Sequence, residues 1–232
     1  MVPSVPFGPP LTTAGVPAAG WLVDRFVGSA SEFHGRAVPE RIERAIWVHE
    51  VDRPALVLGS AQHDDVADQG ALAARGVELV RRRSGGGAVL LVPDRVLWVD
   101  VLVPVGDALW DADIGRSMHW LGAVWAAALG SEARVHRGPT VHGRWSKLVC
   151  FAGLGQGEVT IGGRKAVGIS QRRTRAGARF QCALYRAFDA DLLCALLAPP
   201  TPLARELAGE VHVVDEPPPA VLERFLRSLP PT

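Results

Sequence analysis

The sequence predicts an α+β protein, and two observations carry that prediction. Runs of strand-like segments are interrupted by single helical ones instead of alternating with them strictly. No internal repeat and no long linker divides the chain into independent units. The 232 residues, 48% apolar and 21% charged, suffice for one sizeable core. A formal net charge of +1 gives no general attraction to nucleic acid or membrane, so any electropositive site must be local. Cys150, Cys182 and Cys194 are odd in number and lack metal-ligand spacing, which predicts no disulfide framework, no metal site and a cytoplasmic location. The N-terminus lacks the basic region and apolar core of a secretory signal, and the uncharged stretch 117–131 is too short to cross a bilayer.

The elements follow in order. Residues 1–15 hold four prolines and no period, and are expected to be a flexible lead-in. Leu22, Val23, Phe26, Val27 and Ala30 recur at three and four, predicting an amphipathic helix to about His34 that Gly28 weakens. Ala45 to Val48 and Ala55 to Gly59 read as strands separated by a charged turn ending in Pro54. Asp64 to Arg75, acidic at its start and followed by Gly76, reads as a short helix. Val77 to Val80 and Val89 to Val92 are strands on either side of a glycine loop. The almost wholly apolar Val96 to Val103 is expected to be a central strand buried on both faces. Asp111 or Asp113 is the expected cap of a helix built on Ile114, Met118, Leu121, Trp125 and Ala128. Short strands fill 133–185, with hairpin turns at Gly162-Gly163 and Gly177. A helix from Asp189 to Leu197, a proline-rich connection and an amphipathic helix from Ala220 to Leu229 end the chain.

Two stretches carry chemistry. In Arg81-Arg82-Arg83-Ser84-Gly85-Gly86-Gly87-Ala88-Val89, three adjacent glycines contribute no packing and cost ordering entropy. They suit backbone that approaches a ligand closely, offering N–H groups to an anion with arginines nearby. A tight turn with a basic rim reads the same nonapeptide equally well. It is neither a Walker A loop nor a dinucleotide fingerprint. The second stretch is Gly162-Gly163-Arg164-Lys165-Ala166-Val167-Gly168-Ile169-Ser170-Gln171-Arg172-Arg173. Lys165 beside a hairpin turn is either an edge-strand charge or an ammonium in the same pocket as the glycines, stabilising negative charge on a phosphate or carbonyl oxygen.

Together, in this order and spacing, these stretches resemble the lipoate–protein ligase and octanoyltransferase family, related to biotin protein ligase; the likeness covers roughly residues 18–190. It implies a mixed, largely antiparallel sheet flanked by helices, like the catalytic domains of class II aminoacyl-tRNA synthetases. A catalytic domain over 16–190 and a packed helical extension over 191–232 follow from it. It also implies attachment of a lipoyl or octanoyl group to a lysine of a lipoyl carrier domain, in the glycine cleavage H protein or a 2-oxoacid dehydrogenase E2 component. In the ligase branch, ATP with Mg2+ and free lipoate or octanoate form an acyl-adenylate. Arg82, Arg83, Ser84, Gly85, Gly86, Gly87 and Ala88 would then lie along the acyl group and phosphate, with Gly168 and Ser170 opposite and Lys165 on the carbonyl and phosphate oxygens. In the transferase branch no cofactor is needed: a cysteine takes the acyl group from octanoyl-acyl carrier protein as a thioester and passes it to the lysine.

The sequence departs from the family pattern in ways that bear on activity. A histidine and an aspartate commonly follow the loop valine where this chain has Leu91 and Val92. Ser60 replaces an arginine, and Gln181-Cys182-Ala183 replaces Gln-His-Gly. Cys150, followed by Phe151, lies fifteen residues before Lys165, and its place is similar to the nucleophile region of the larger octanoyltransferases. It reads equally as a small buried strand residue. About forty residues after 190 are too few for a ligase accessory domain, which leans toward a transferase or toward a ligase that needs a separate partner subunit; the arginine-rich loop leans toward an adenylate. From sequence the ATP-dependent ligase ranks first and Cys150 transfer second, with a non-catalytic acyl- or carrier-binding paralogue as a third reading.

Overall fold

The computed structural model describes residues 20–231; the lead-in expected over 1–15 lies outside them. The strands are β1 (Leu22–Gly28), β2 (Ala45–Val51), β3 (Ala55–Leu58), β4 (Glu78–Arg81), β5 (Val89–Leu91) and β6 (Val96–Pro104). They continue with β7 (Arg134–Val135), β8 (Val141–His142), β9 (Gly153–Leu154), β10 (Val159–Ile161), β11 (Arg164–Arg173) and β12 (Gly177–Tyr185). The helices are α1 (Ala30–Gly35), α2 (Gln69–Arg75), α3 (His119–Leu129), α4 (Ala190–Ala195), α5 (Ala204–Glu210) and α6 (Pro218–Arg227). A seven-stranded sheet runs β1-β2-β6-β12-β11-β10-β7, antiparallel except for the β1–β2 pair. Strands β4-β3-β5 form a second sheet, and β8 with β9 a small hairpin-like pair. The α+β class, with a mixed and largely antiparallel sheet flanked by helices, is borne out.

Strand periodicity divides the main sheet into two faces. Val99, Val101 and Val103 of β6 and Phe180, Cys182 and Leu184 of β12 pack on α3 and α6, where Trp125 and Phe225 meet at 4.2 Å between ring centroids. The alternate residues Trp98 and Asp100, with Gln181 and Ala183, face α1 and the smaller sheet. That second face is partly polar. Buried Asp100 accepts from His49 Nε2 (2.9 Å), Trp98 Nε1 (2.8 Å) and Arg179 Nε (2.7 Å). Arg179 also donates to the Phe33 and Arg36 carbonyls at 2.7 and 3.0 Å, tying down the C-terminal end of α1.

Several expectations are corrected. Leu22 to His34 is not one helix: β1 pairs in parallel with β2, and the helix begins only at Ala30. The spacing misled because β1 is an edge strand with both faces partly exposed, so its apolar residues show no clean alternation. The missed signal is Ser29-x-x-Glu32, a reciprocal capping box with Ser29 N–H donating to the Glu32 carboxylate at 2.8 Å and Glu32 N–H to Ser29 Oγ at 3.2 Å. Ser29→Ala is therefore expected to lower stability by about 1 kcal/mol, measurable as a reduced urea midpoint.

Asp64 to Arg75 splits into a 3-10 turn at Asp64–Val66 and α2, capped by Asp68 and ended by left-handed Gly76. The helix α3 starts at His119, and Asp113 instead accepts from Arg116 N–H to hold the preceding turn. Gly177 is the first residue of β12, where a Cβ would lie 2.2 Å from the Val103 carbonyl oxygen. The proline-rich connection contains α5. Cys194 is only half-buried, at the margin of the core that α4 and α5 share with the smaller sheet.

Candidate active site

The glycine loop joins β4 to β5 and lies against the segment leading to Cys150. Ala88 N–H donates to Leu148 O at 2.8 Å, and Cys150 N–H to Ala88 O at 3.0 Å. Gly87 and Gly59 are needed for the close approaches here. A Cβ on Gly87 would lie 2.6–2.7 Å from Val149 and Cys150 backbone, and one on Gly59 would lie 1.8 Å from the Gly86 oxygen. Gly86 has φ +100° and lies beside Cys150, its ideal Cβ position 3.7 Å from Sγ. Gly86→Ala should cost about 1–2 kcal/mol through this left-handed backbone, read as a lowered urea midpoint. An unchanged unfolding midpoint would contradict the assignment.

The expected loop residues have distinct places. Arg82 is 4% exposed, and its guanidinium donates to the carbonyls of Val57 (3.3 Å), Gly85 (2.7 Å) and Gly87 (2.9 Å). It builds the loop from beneath, with most of its donors engaged there. Arg83 is exposed on the rim. Ser84 Oγ lies 3.0 Å from Ser170 Oγ and 3.1 Å from Gln181 Oε1, linking the loop to β11 and β12. Gly168 leaves room for the Phe151 ring and the Lys165 methylenes, both within 3.3 Å of where its Cβ would be.

Lys165 is buried at the base of this junction. Its ammonium donates to the carbonyls of Cys150 (3.0 Å) and Gly153 (3.1 Å), lies 3.9 Å from Cys150 Sγ and forms an ion pair with Glu158 at 2.7 Å. Burial pulls the ammonium's pKa down, but the neighbouring Cys150 and Glu158 outweigh it and hold the pKa above its ordinary value. Glu158, which sequence reasoning missed, is fixed by the N–H groups of Gly155 (2.6 Å) and Ile169 (3.1 Å). Its only sequence signal is an acid between a glycine turn and an apolar strand, seven residues before Lys165.

Two cavities meet at Cys150. The first is walled mainly by apolar side chains, including Val57, Val89, Leu91, Trp98 and Phe151, with His34, Arg82, Ser170 and Gln181 as polar wall. Its free volume is about 50 Å³, room for a water or two, so a longer ligand requires its walls to part. Leu91 thus puts an apolar wall where the family commonly has a histidine. Burial holds the His34 imidazole down to about 3, despite Asp100 nearby, so it stays neutral; its Nδ1 accepts from Gln181 Nε2 at 3.2 Å. Cys182 faces away, into the α3 core, where burial pushes its thiol up. The second cavity, about 370 Å³ and open, runs over Gly85 to Gly87, Cys150, Glu158 and Lys165 to Ile114 and Val141.

A thiol and a buried ammonium thus lie together at the junction of an apolar cleft and an open one, beside a glycine loop. The family model described as the lipoyl protein ligase A/B catalytic domain matches residues 31–212, and the chain belongs to that family. It is an enzyme of the lipoate ligase and octanoyltransferase group. No curated protein matches the chain. Among solved structures it is similar to the bipartite lipoate protein ligase of Thermoplasma acidophilum, described with its E2 lipoyl domain, at 18% identity and TM-score 0.70 over 90% of this chain and 80% of that one. A lipoate-protein ligase A bound with ATP matches at 19% identity and TM-score 0.67, over 90% and 82%. The P. falciparum protein LipL1 in complex with lipoate matches at 14% identity and TM-score 0.56, over 90% and 60%. At these identities the likeness is one of fold. Among the described residues no helix is long and apolar enough to cross a membrane.

Proposed function

We propose that this enzyme transfers an octanoyl-type acyl chain from a thioester donor to the lysine of a lipoyl carrier domain, through a thioester on Cys150. The observation that carries this reading is the position of Cys150 Sγ, 3.9 Å from Lys165 Nζ where the two cavities meet. The acyl chain enters the apolar cleft as its walls part. The Cys150 thiolate attacks the donor carbonyl; a new C–S bond forms, the donor C–S bond breaks, and the donor sulfur leaves as a thiolate that takes a proton from solvent. The carrier lysine, as free amine, then attacks this thioester through the open cleft; the C–N bond forms, the bond to Cys150 Sγ breaks, Cys150 leaves as a thiolate, and the proton shed by the amine nitrogen passes to solvent in the open cleft. In both steps the fixed Lys165 ammonium stabilises the thiolate.

We place transfer above the acyl-adenylate route that ranks first from sequence because Cys150, a nucleophile, lines both cavities beside the Lys165–Glu158 pair.

Intact-protein mass spectrometry after mixing the protein with octanoyl-acyl carrier protein, without ATP, tests the proposal. One octanoyl adduct on the wild type, absent from Cys150→Ser, is the expected result. Adduct formation in Cys150→Ser would remove Cys150 as nucleophile. Labelling of a lipoyl domain only when octanoate and ATP-Mg are supplied together would establish the ligase instead.

A further inference from the structure

Residues 133–157 contain Arg134, Arg137, Arg144 and Lys147, with His136 and His142, and no aspartate or glutamate. The rest of the chain has 21 Lys+Arg against 24 Asp+Glu, so the positive charge is concentrated in this run. The acid-free run is also a structural unit. At its base the backbone of His136 pairs with Glu158 (2.8 Å, donating) and Gly157 (2.8 Å, accepting), next to the strand that leads to Lys165. From there the chain runs outward, forms the β8–β9 pair and carries Cys150 on its returning limb. Thr140, Val141, His142 and Ser146 form one wall of the open cleft, while Arg137, Arg144 and Lys147 are exposed. At the lip, Val141 is 52% exposed, and Ile114 on the facing wall is 61% exposed. Among the described residues Arg137 and Lys147 have no carboxylate partner, whereas Arg144 reaches Glu206 only at 3.5 Å.

A macromolecule delivering a lysine to Cys150 through the open cleft meets this arm as one of the cleft's walls. Arg134, Arg137 and Lys147, which have no carboxylate partner among the described residues, set a local positive field that reaches roughly a Debye length, about 8 Å at physiological salt. We propose that the 133–157 arm is the docking surface for a carrier domain that is acidic around its acceptor lysine. The acidic flank of that domain lies on Arg137 and Lys147, and its lysine passes over the Val141–Ile114 lip to the acyl group. This rests on the acylation of a carrier lysine argued above and adds the chemistry of the partner.

The test uses the full chain with Arg137→Glu and Lys147→Glu together, both exposed positions outside the acyl site. Self-acylation of Cys150 by the octanoyl thioester of N-acetylcysteamine is measured first, then transfer to a lipoyl domain of strongly negative net charge. The double variant should self-acylate like the wild type, while its KM for the domain rises about tenfold or more with kcat unchanged. Raising salt should increase the wild-type KM and scarcely affect that of the variant. Equal KM values in the two proteins would overturn the proposal. So would an equal rise when the acids flanking the acceptor lysine are replaced by asparagine and glutamine. If the wild type does not self-acylate, the thioester reading fails by itself, and the same KM comparison with octanoate and ATP-Mg decides the docking surface.

Discussion

Replacing Lys165 with methionine is expected to abolish acyl transfer and, in the same variant, to lower unfolding free energy by about 3–5 kcal/mol. The second effect follows from burial. Lys165 is 4% exposed, and its ammonium is the counter-charge of a carboxylate that is itself 4% exposed. Removing it leaves Glu158 as a lone buried charge and frees the carbonyls of Cys150 and Gly153 from their donor. The Cys150 turn and the neighbouring glycine loop would then be displaced together. Loss of activity in Lys165→Met therefore does not by itself prove chemistry, and a second variant separates the contributions. In Lys165→Met combined with Glu158→Gln the unpaired charge is gone, so much of the stability should return while octanoylation of Cys150 does not. Urea unfolding and the adduct mass read the two quantities independently. A single variant as stable as the wild type would refute the ion pair's structural role, and a double variant that acylates normally would refute the electrostatic one. The Lys165 contribution does not change with pH near neutrality. An ammonium whose folded pKa is raised contributes stability that is complete below its unfolded value near 10.5 and is lost only as pH climbs through the raised value.

What the sequence made legible, and what it did not, has a physical pattern. The glycine loop was readable because three glycines in a row have no packing purpose, and the structure brings Gly86 and Gly87 against the Cys150 segment. The buried strand β6 was readable because a segment covered on both faces needs no polar residues. Glu158 was not readable, because a carboxylate becomes a site residue only when folding sets it against Lys165. Arg82 looked like a ligand contact, but its guanidinium is engaged by loop carbonyls of the same chain, a competition that one-dimensional spacing does not reveal. Cys182 stands where the family has a histidine, and spacing alone allows its thiol to face the pocket or the core; strand register places it on the core face opposite Gln181 and Ala183.

Asp100→Asn is expected to cost about 3–5 kcal/mol, although it preserves shape, because it leaves the buried guanidinium of Arg179 without a counter-ion. The consequence should extend to the site. Arg179 is the donor that fixes the Phe33 and Arg36 carbonyls at the end of α1, and α1 carries His34 into the wall of the apolar cleft. A loosened Arg179 should thus weaken the grip on the acyl chain, raising KM for an acyl thioester more than it lowers kcat. The pH dependence gives an independent signature. Burial alone would raise the Asp100 carboxyl, but His49 and Arg179 hold it at about 2. A carboxyl depressed in the folded state contributes stability that is present above its unfolded value near 4 and is lost as pH falls through the folded value. On the order of 2 kcal/mol of wild-type stability should therefore disappear between about pH 4 and pH 2 on account of this group. In Asp100→Asn that part of the acid limb should flatten. Parallel acid limbs in the two proteins would show that Asp100 is not held ionised by its partners, and that α1 is anchored by packing alone.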